Sequence, residues 1–400
     1  MTDEIPNTAA LLPGRFEFAQ MPAIRFGWDI TRQSLDDTLC SLVKDRLMLV
    51  AGGHADAELA PERLPCTLTE RQVHRVVVRQ EPTPELIDQI VADAPEGIEW
   101  VVGFGGGSVL DAAKAIAGLL RERHSIIDYL EGVGCGRKIE AEPVPFLAVP
   151  TTAGTGSEAT KNAVISRRGQ FKKSFRDARL LAHQAWLDPA LLESCPHRVR
   201  NATAMDAFSQ LLESYTTHRA TPMTDALALQ GLSLFQGALE AADDAQEMNR
   251  RDGLGRLMLS ASFSGMTLAN AGLGAIHGLA SPIGAHFPAP HGEVCARLVA
   301  PVTAENIAAL SQRPYDQQAK RTLDRYRLVA RLMVGRDDLD TLINVLQDMT
   351  DRYVPDGLVR HGLNADNLQP VLDNCRAGSM LGNPVELSDE ALYRAIIAAL

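Results

Sequence analysis

Short apolar, β-branched runs alternate with helical patterns along the first half of the chain. Buried strands are predicted for RLMLVAG (46–52), HRVVVR (74–79), IEWVVGFG (98–105) and VPFLAVPTT (144–152). Between these runs, helices are predicted for PTPELIDQIVADA (82–94) and SVLDAAKAIAGLLRER (108–123). Strands that alternate with helices are typical of an α/β fold built on a parallel sheet.

The pattern changes at about residue 196. From there to the last residue nearly all the apolar spacing is helical, and β-branched runs are few. The polar stretch WLDPALLESCPHRV (186–199), punctuated by two prolines, separates the two patterns and is typical of a domain boundary. We therefore predict an α/β domain over residues 1–195 and an all-α helical domain over residues 196–400.

The length, composition and net charge of the chain limit the kinds of molecule that it is expected to bind. A chain of 400 residues with 46% hydrophobic content can form two cores. The formal net charge of -11 disfavours nucleic acid and anionic membranes, because both are bound by basic surfaces. The opening MTDEIPNTAALLPGRF does not have the pattern of a secretory signal, and the six cysteines are scattered singly. We expect a cytoplasmic protein with reduced thiols that binds a small molecule.

A glycine-rich turn follows the third predicted strand, in VVGFGGGSVLDAAKAIA (101–117). Ser108 is expected to cap the helix that follows, with Asp111 completing a capping box. Glycine backbone N–H groups at a helix N-terminus suit an anion such as a pyrophosphate. A tight strand-to-helix turn without a ligand is the alternative. The pattern GGGSxxDxxK is longer than a common glycine turn, which favours the binding role.

A second polar turn, VPTTAGTGSEAT (149–160), follows the next predicted strand. Ligands of open parallel sheets bind at the carboxyl ends of the strands, so the two turns are expected to flank one crevice. Their hydroxyl and amide groups could bind ribose, phosphate or a nicotinamide carboxamide.

One predicted helix of the second half, NATAMDAFSQLLESYTTH (201–218), has a polar stripe on a largely apolar surface. Asp206, Gln210 and Glu213 are spaced so that they share one face. The stripe could face solvent, pair with a basic residue or hold a metal ion.

The longest uncharged segment, residues 257–292, contains three histidines within HGLASPIGAHFPAPHG (277–292). Its length would suit a membrane span, but its prolines, serines and glycines favour close helix packing in a soluble core. His277 and His291 cannot share one helix, because prolines interrupt the chain between them, and a turn is expected to bring His291 back towards His277. Each ring could be a hydrogen-bonded core residue or a metal ligand.

Taken in order, five motifs resemble signatures of the iron-containing (group III) alcohol dehydrogenase family. They are GFGGGSVLDAAK, PTTAGTGSEAT, LDP, MDAFSQLLESY and HGLASPIGAHFPAPHG, and the resemblance extends from MPAIRFG (21–27) to GNPVELSDEAL (382–392). It implies a Rossmann-like nucleotide-binding domain, a helical domain and a metal in the cleft between them, in a dehydroquinate synthase-like architecture. It also implies reversible NAD(P)-linked oxidation of small alcohols to aldehydes, in an enzyme that is commonly a homodimer or larger.

The resemblance implies coenzyme contacts at the two polar turns. The positions are Gly105, Gly106, Gly107, Ser108 and Asp111 in the first turn and Thr151, Thr152 and Thr155 in the second. Many family members that prefer NAD have an aspartate after the first strand, where this chain has Gly52. A 2′-phosphate would not be repelled there, so both NAD and NADP are permitted.

The resemblance also implies a metal site. Asp206, His277 and His291 match three ligand positions of the family, and two imidazoles with one carboxylate suit Fe²⁺ or Zn²⁺. Gln210 stands where iron-binding members usually have a histidine, so we expect it to be an optional ligand. Ser281 stands where many members have a histidine thought to relay a proton, and His286 is the nearest substitute in sequence.

Three other functions stay open at this stage. One is a metal-independent reductase resembling maleylacetate reductase, although its glycine and threonine motifs differ. Another is a lyase or synthase of the dehydroquinate synthase type, which normally needs more basic residues to hold a phosphorylated substrate. The last is a nucleotide-sensing protein without catalysis, which the retention of all three candidate ligands disfavours.

Overall fold

The computed structural model describes residues 15–55 and 73–400. Six strands form one sheet in the order β1-β8-β5-β4-β2-β3, and every neighbouring pair is parallel. The remaining two strands, β6 and β7, pair as an antiparallel hairpin. The strands are β1 (Ala23–Phe26), β2 (Arg46–Gly52), β3 (Val73–Val78), β4 (Ile98–Gly105), β5 (Phe146–Pro150), β6 (Asn162–Arg167), β7 (Phe171–Arg176) and β8 (Gln184–Leu187).

The predicted α/β class and parallel sheet are confirmed. The strands expected at 46–52 and 98–105 have those bounds, and the other two differ from the prediction by one or two residues at each end. Both faces of the sheet are buried, because alternate residues of β2 enter different cores. Met48 and Val50 pack with helices 84–93 and 107–119, whereas Leu47 and Leu49 pack with helix 30–42.

Helices dominate the second half, as predicted. The last strand of the sheet ends at Leu187 and the first long helix of this half begins at His197. The α-helices in the described parts of the chain are α1 (Ile30–Leu42), α2 (Pro84–Asp93), α3 (Gly107–Leu119), α4 (His197–Thr216), α5 (Pro222–Phe235), α6 (Ala238–Ala242), α7 (Glu247–Ala271), α8 (Ala275–His286), α9 (His291–Ser311), α10 (Gln317–Val334), α11 (Leu339–Tyr353), α12 (Gln369–Asn374) and α13 (Asp389–Ala399).

The uncharged segment forms parts of three helices. Helix α7 ends before Gly272, whose φ of 75° no other residue type adopts easily, and α8 and α9 follow. Of these helices, only α9 is long and apolar enough to cross a membrane, and 72% of its apolar window is buried inside the protein. The small residues of the segment instead serve close packing, as predicted.

Close contacts join the sheet half to the helical half, and two of them lie at the carboxyl edge of the sheet. At the tip of the β6–β7 hairpin, Gly169 donates its N–H to the Ala285 carbonyl of α8 at 3.0 Å. In the second polar turn, the backbone of Gly156 lies so close to Gly265 of α7 that a Cβ on Gly156 would be 2.4 Å from the Gly265 Cα. The carboxyl edge of the sheet is thereby held against the helices that contain the candidate ligands.

Candidate functional site at the carboxyl edge of the sheet

Helix α4 carries its polar stripe inward. Asp206, Gln210 and Glu213 are all buried, with Asp206 only 1% exposed. They follow one another by about a turn, so they present their side chains on one face of α4 to the helices that pack there. The solvent-facing alternative for this stripe is wrong, because each side chain meets a partner inside the protein.

His277 lies between two of these carboxylates. Its Nδ1 is 2.7 Å from Glu213 Oε2, and its Nε2 is 3.1 Å from Asp206 Oδ1. The second oxygen of Glu213 accepts the N–H of Ile276 at 2.6 Å, in the first turn of α8. Glu213 therefore fixes both the backbone position and the ring orientation of His277.

His291 comes back to the same place, as the sequence predicts. It is the first residue of α9, and its ring centroid lies 5.4 Å from that of His277. Its Nε2 is 3.7 Å from Asp206 Oδ1. Its Nδ1 is buried and has no hydrogen-bond partner among the described residues. The side chain is 27% exposed, so this ring forms the open side of the cluster.

A cysteine that the sequence reasoning did not single out completes the cluster. Cys295 is fully buried, and its Sγ lies 3.6 Å from the Nε2 atoms of both His277 and His291. It follows His291 by four residues on α9, a spacing that places both side chains on one face. That i, i+4 pairing of histidine and cysteine is the signal that could have revealed it.

Gln210 is directed to another partner. Its Oε1 accepts a hydrogen bond from Ser264 Oγ at 2.9 Å, on helix α7. Asp206, His277, His291 and Cys295 place one ligand atom each within 4.8 Å of one another. Among the candidate ligands from the sequence, three are thus brought together, and Gln210 is engaged by α7.

Charges within the cluster depend on burial and on mutual contacts. Burial opposes ionisation of Asp206, but the His291 and His277 rings hold the pKa of its carboxyl at about 2. Burial lowers the pKa of His291 to about 4, although Asp206 opposes this, and burial raises the pKa of the Cys295 thiol to about 12. For His277, contacts with Cys295 and Asp206 outweigh burial and raise its pKa well above the usual value. His291 is thus neutral, with a lone pair free for a cation.

The donor set fits a divalent transition metal. It combines one carboxylate, two imidazoles and one thiol, the residue types that bind zinc and other first-row metals in proteins. The Nε2 atom of His291 is directed into the cluster, 3.7 Å from Asp206 Oδ1 and 3.6 Å from Cys295 Sγ. A carboxylate also holds the outer nitrogen of His277, which is the usual arrangement behind a ligating histidine.

The glycine-rich turn lies at the end of β4, in the centre of the sheet. Helix α3 begins at Gly107 with Gly106 as its N-cap, and no side chain caps it. The expected capping box of Ser108 and Asp111 is therefore wrong: Ser108 is already the second helical residue. Asp111 instead accepts hydrogen bonds from Ser157 Oγ at 2.6 Å and from the Val164 N–H at 3.1 Å. The bare helix N-terminus leaves backbone N–H groups available to an anion.

The two polar turns lie side by side at the ends of neighbouring strands and pack against each other. Strands β4 and β5 are neighbours, and the Thr151 N–H donates to the Gly105 carbonyl at 3.0 Å. A Cβ on Gly107 would lie 2.7 Å from Thr155 Oγ1, and a Cβ on Gly106 would lie 3.3 Å from Thr152 Oγ1. Only glycine permits this approach, so the turns form one continuous polar wall.

A buried lysine from α3 organises the second turn. Lys114 Nζ lies 2.7 Å from the carbonyl oxygens of Ser157 and Asn162 and 3.0 Å from Thr160 Oγ1. Burial lowers the pKa of Lys114 to about 8, against the opposing charge of Asp111. The lysine of the GGGSxxDxxK pattern is therefore a structural element of the turn.

At the end of β2, an arginine approaches Gly53, the residue that follows Gly52. A Cβ on Gly53 would lie 2.7 Å from Arg79 Nη1, which follows the neighbouring strand β3, whereas a Cβ on Gly52 would meet only Val109 Cγ2, at 3.4 Å. A guanidinium thus lies beside the end of β2, next to Gly53. Sequence reasoning missed it because the pairing of β2 with β3 creates the contact.

The two candidate proton carriers lie on α8, both exposed. Ser281 is one turn beyond His277 and shares its face. His286 ends the helix, nine residues or roughly 13 Å of helix beyond His277. A further charged residue, Lys172 on β7, pairs with Glu81 at 2.5 Å, and the charge of Lys172 acts on His291. Nothing in the sequence pattern indicated Lys172.

Comparison with known proteins covers both halves. The family model for iron-containing alcohol dehydrogenase matches residues 22–189, and the model for the C-terminal part of the Fe-containing alcohol dehydrogenase family matches residues 200–400. The predicted resemblance is confirmed.

Individual relatives agree with the family models. Long-chain-alcohol dehydrogenase 1 of Geobacillus thermodenitrificans is 38% identical over 53% of this chain, and the alignment spans 53% of that protein. The 4-hydroxybutyrate dehydrogenase of Cupriavidus necator is 31% identical over 79% of this chain and 81% of its own length. Among solved structures, sulfoacetaldehyde reductase from Bifidobacterium kashiwanohense in complex with NAD⁺ has a TM-score of 0.81 at 23% identity, covering 97% of this chain and 99% of that one, so the two share a fold.

Proposed function

Because the chain belongs to the iron-containing alcohol dehydrogenase family, whose members use NAD(P) and a divalent metal, we propose that it transfers a hydride between nicotinamide and a small alcohol or aldehyde. One observation carries this proposal. Helix α4, which carries Asp206, packs against the second polar turn: a Cβ on Gly154 would lie 2.5 Å from the Cβ of Thr203, one turn before Asp206.

The coenzyme is assigned to residues 1–195 and the metal and substrate to residues 196–400. The pyrophosphate binds at the bare N-terminus of α3, where backbone N–H groups and the helix dipole favour an anion. Threonine hydroxyls of the second turn bind the nicotinamide half. The coenzyme-binding residues are Gly52, Gly105, Gly106, Gly107, Ser108, Thr151, Thr152 and Thr155, with Asp111 supporting the second turn through Ser157.

The metal is assigned to Asp206, His277 and His291. When bound, a divalent ion supplies Lewis acidity that polarises the alcohol or aldehyde oxygen, worth several kcal/mol of charge stabilisation. Glu213 holds the His277 ring in the orientation that directs Nε2 towards Asp206. Ser281, on the same face of α8, and His286, at its end, carry the substrate proton to solvent.

The coenzyme is proposed to include NADP. A 2′-phosphate at the end of β2 would meet Gly52, which brings no negative charge, and the guanidinium of Arg79 next to Gly53. An arginine at this position is the usual means of accepting a 2′-phosphate. NAD lacks the 2′-phosphate, so it would bind without the contact to Arg79 and keep its other contacts.

We also propose that the protein is a homodimer and that it is located in the cytoplasm. Among the strands of residues 15–55 and 73–400, β1 lies at the edge of the sheet and pairs with β8 alone. Its Ile24 and Phe26 are exposed, together with the nearby Phe16 and Met21. Unpaired strand edges with apolar side chains favour association with a second copy. Light scattering should give twice the chain mass, and charged replacements at Ile24 and Phe26 should give monomers.

The test of function is a coenzyme and substrate screen on protein of known metal content. Purified protein is assayed for bound iron and zinc, then with short aldehydes and alcohols, using NADH, NADPH and their oxidised forms. Turnover with at least one pair supports the proposal. If the metal-loaded protein binds coenzyme but converts none of the aldehydes or alcohols, the result would instead support a nucleotide-sensing protein without catalysis.

A further inference from the structure

Cys295 occupies a position in the cluster that calls for a chemical role. It is fully buried, lies 3.6 Å from both ligand nitrogens and follows His291 by one turn of α9. The side chain expected to complete the ligand set, Gln210, accepts a hydrogen bond from Ser264 instead. Ser264 Oγ also lies 2.7 Å from the Ala261 carbonyl, so α7 holds this serine and its partner in place.

Separations between the four ligand atoms match those of a tetrahedral site. Protein zinc sites have metal–nitrogen and metal–oxygen distances of about 2.0 to 2.2 Å and a metal–sulfur distance of about 2.3 Å, so their ligand atoms stand about 3.3 to 3.6 Å apart. The His277 and His291 nitrogens lie 3.1 and 3.7 Å from Asp206 Oδ1 and 3.6 Å from Cys295 Sγ. Four of the six separations thus agree within a few tenths of an ångström.

We propose that Cys295 is the fourth protein ligand, as a thiolate. The inference rests on the proposed metal site. On binding, the S–H bond of Cys295 and the Nε2–H bond of the protonated His277 ring both break. The two protons leave to solvent, and the sulfur and the nitrogen bond the cation.

A thiolate changes which metal the site prefers. Soft sulfur ligands favour Zn²⁺ and Co²⁺ over the harder Mn²⁺ and Mg²⁺, which prefer oxygen. Two neutral imidazoles, one carboxylate and one thiolate also leave the bound Zn²⁺ site neutral overall, which suits a cluster with 1% exposure at Asp206. A substrate oxygen would therefore bind as a fifth ligand, from the side of His291, which is the most exposed of the four.

Co²⁺ is the direct probe, because a cobalt–thiolate bond absorbs in the near ultraviolet by charge transfer and a cobalt–imidazole bond does not. The full chain is freed of metal and titrated with Co²⁺ while its spectrum is recorded. We expect a charge-transfer band that saturates at one ion per chain. The Cys295→Ser variant should bind Co²⁺ without that band and at least about 100-fold more weakly, since even the loss of a supporting residue costs 10–100-fold.

Two controls separate the possible failures. Cys375→Ser removes another buried thiol, whose Sγ donates to the Leu372 carbonyl, and should keep the band. His277→Ala should abolish tight binding. Visible cobalt absorption without the charge-transfer band in the unaltered chain would overturn the thiolate and leave the proposed function standing. Failure of the unaltered, folded chain to bind Co²⁺ or Zn²⁺ would overturn the metal site itself.

Discussion

Glu213 and His277 form the most constrained pair of the site. One carboxylate oxygen lies 2.7 Å from His277 Nδ1 and the other accepts the adjacent backbone N–H of Ile276 at 2.6 Å. The Glu213 side chain thus fixes both the orientation of the His277 ring and the start of α8. Such a carboxylate raises the basicity of the opposite nitrogen, the one directed at Asp206.

Glu213→Gln should weaken metal binding by about 10–100-fold, because an amide keeps the shape but holds the ring proton less strongly. Competition with a zinc-binding dye measures the affinity. Glu247→Gln, at the exposed start of α7, is the matched control and should bind zinc like the unaltered chain. Equal zinc affinity in both variants would mean that Glu213 only supports the fold.

Gly107→Ala should weaken coenzyme binding by about tenfold or more, since its Cβ would lie 2.7 Å from both Thr155 Oγ1 and Thr155 Cγ2 and would push the two polar turns apart. Quenching of protein fluorescence by NADH or NADPH measures the affinity. Gly255→Ala is the control, because a Cβ there meets Phe26 at an ordinary 3.6 Å. An unchanged coenzyme affinity for Gly107→Ala would place the pyrophosphate elsewhere.

Arg79→Ala should weaken NADPH binding by about 10–100-fold and leave NADH binding nearly unchanged, because a hydrogen bond to a charged group contributes about 1.5–3 kcal/mol. Gly52→Asp should act in the same direction by repelling the 2′-phosphate, and its Cβ fits at 3.4 Å from Val109. The ratio of kcat/KM for the two coenzymes is the measurement. Equal losses for NADH and NADPH would argue against a 2′-phosphate site.

Lys114→Met should lower the free energy of unfolding by about 3–5 kcal/mol, because it leaves buried carbonyls of the second turn and Asp111 without their partner. Denaturant unfolding followed by circular dichroism measures this. Lys320→Met, on an exposed face of α10, is the control. A loss no greater than that of the control would contradict the structural role of Lys114.

The same lysine gives a pH dependence with a definite sign. Its folded-state pKa of about 8 is below the ordinary 10.5, so between these values the unfolded chain binds more protons than the folded one. The free energy of unfolding of the unaltered chain should therefore rise with pH in this window, relative to Lys114→Met. A difference that falls with rising pH would show that the folded protein instead favours the charged ammonium.

Sequence patterns predicted what depends on local periodicity. The buried strands β2 and β4 are continuous apolar runs, and His277 and His291 were expected to meet because prolines force the chain to turn. Strands β1 and β8 have four residues each, too short for a periodic signal, and the β6–β7 hairpin mixes charged with apolar positions. These elements were missed for that reason.

Contacts between distant segments decided the rest. Ser108 looked like a helix cap, yet Gly106 is the N-cap because Gly107 already packs on Thr155. From the sequence, Gln210 is expected to be an optional metal ligand. In the structure its side-chain oxygen instead accepts a hydrogen bond from Ser264 of α7. The i, i+4 spacing of Cys295 from His291 was a weak local signal for it, and the packing of α8 against α9 places its sulfur between two imidazoles.

Dependence of turnover on metal tests the central claim most directly. The full chain is depleted of metal with a chelator, dialysed, and reloaded with increasing amounts of Zn²⁺ or Fe²⁺, and the oxidation of NADH or NADPH by the best aldehyde of the screen is followed alongside bound metal. The account predicts negligible turnover in the depleted chain, recovery in proportion to bound metal up to one ion per chain, and no recovery in His277→Ala. Full turnover by folded chain that holds no metal would contradict it.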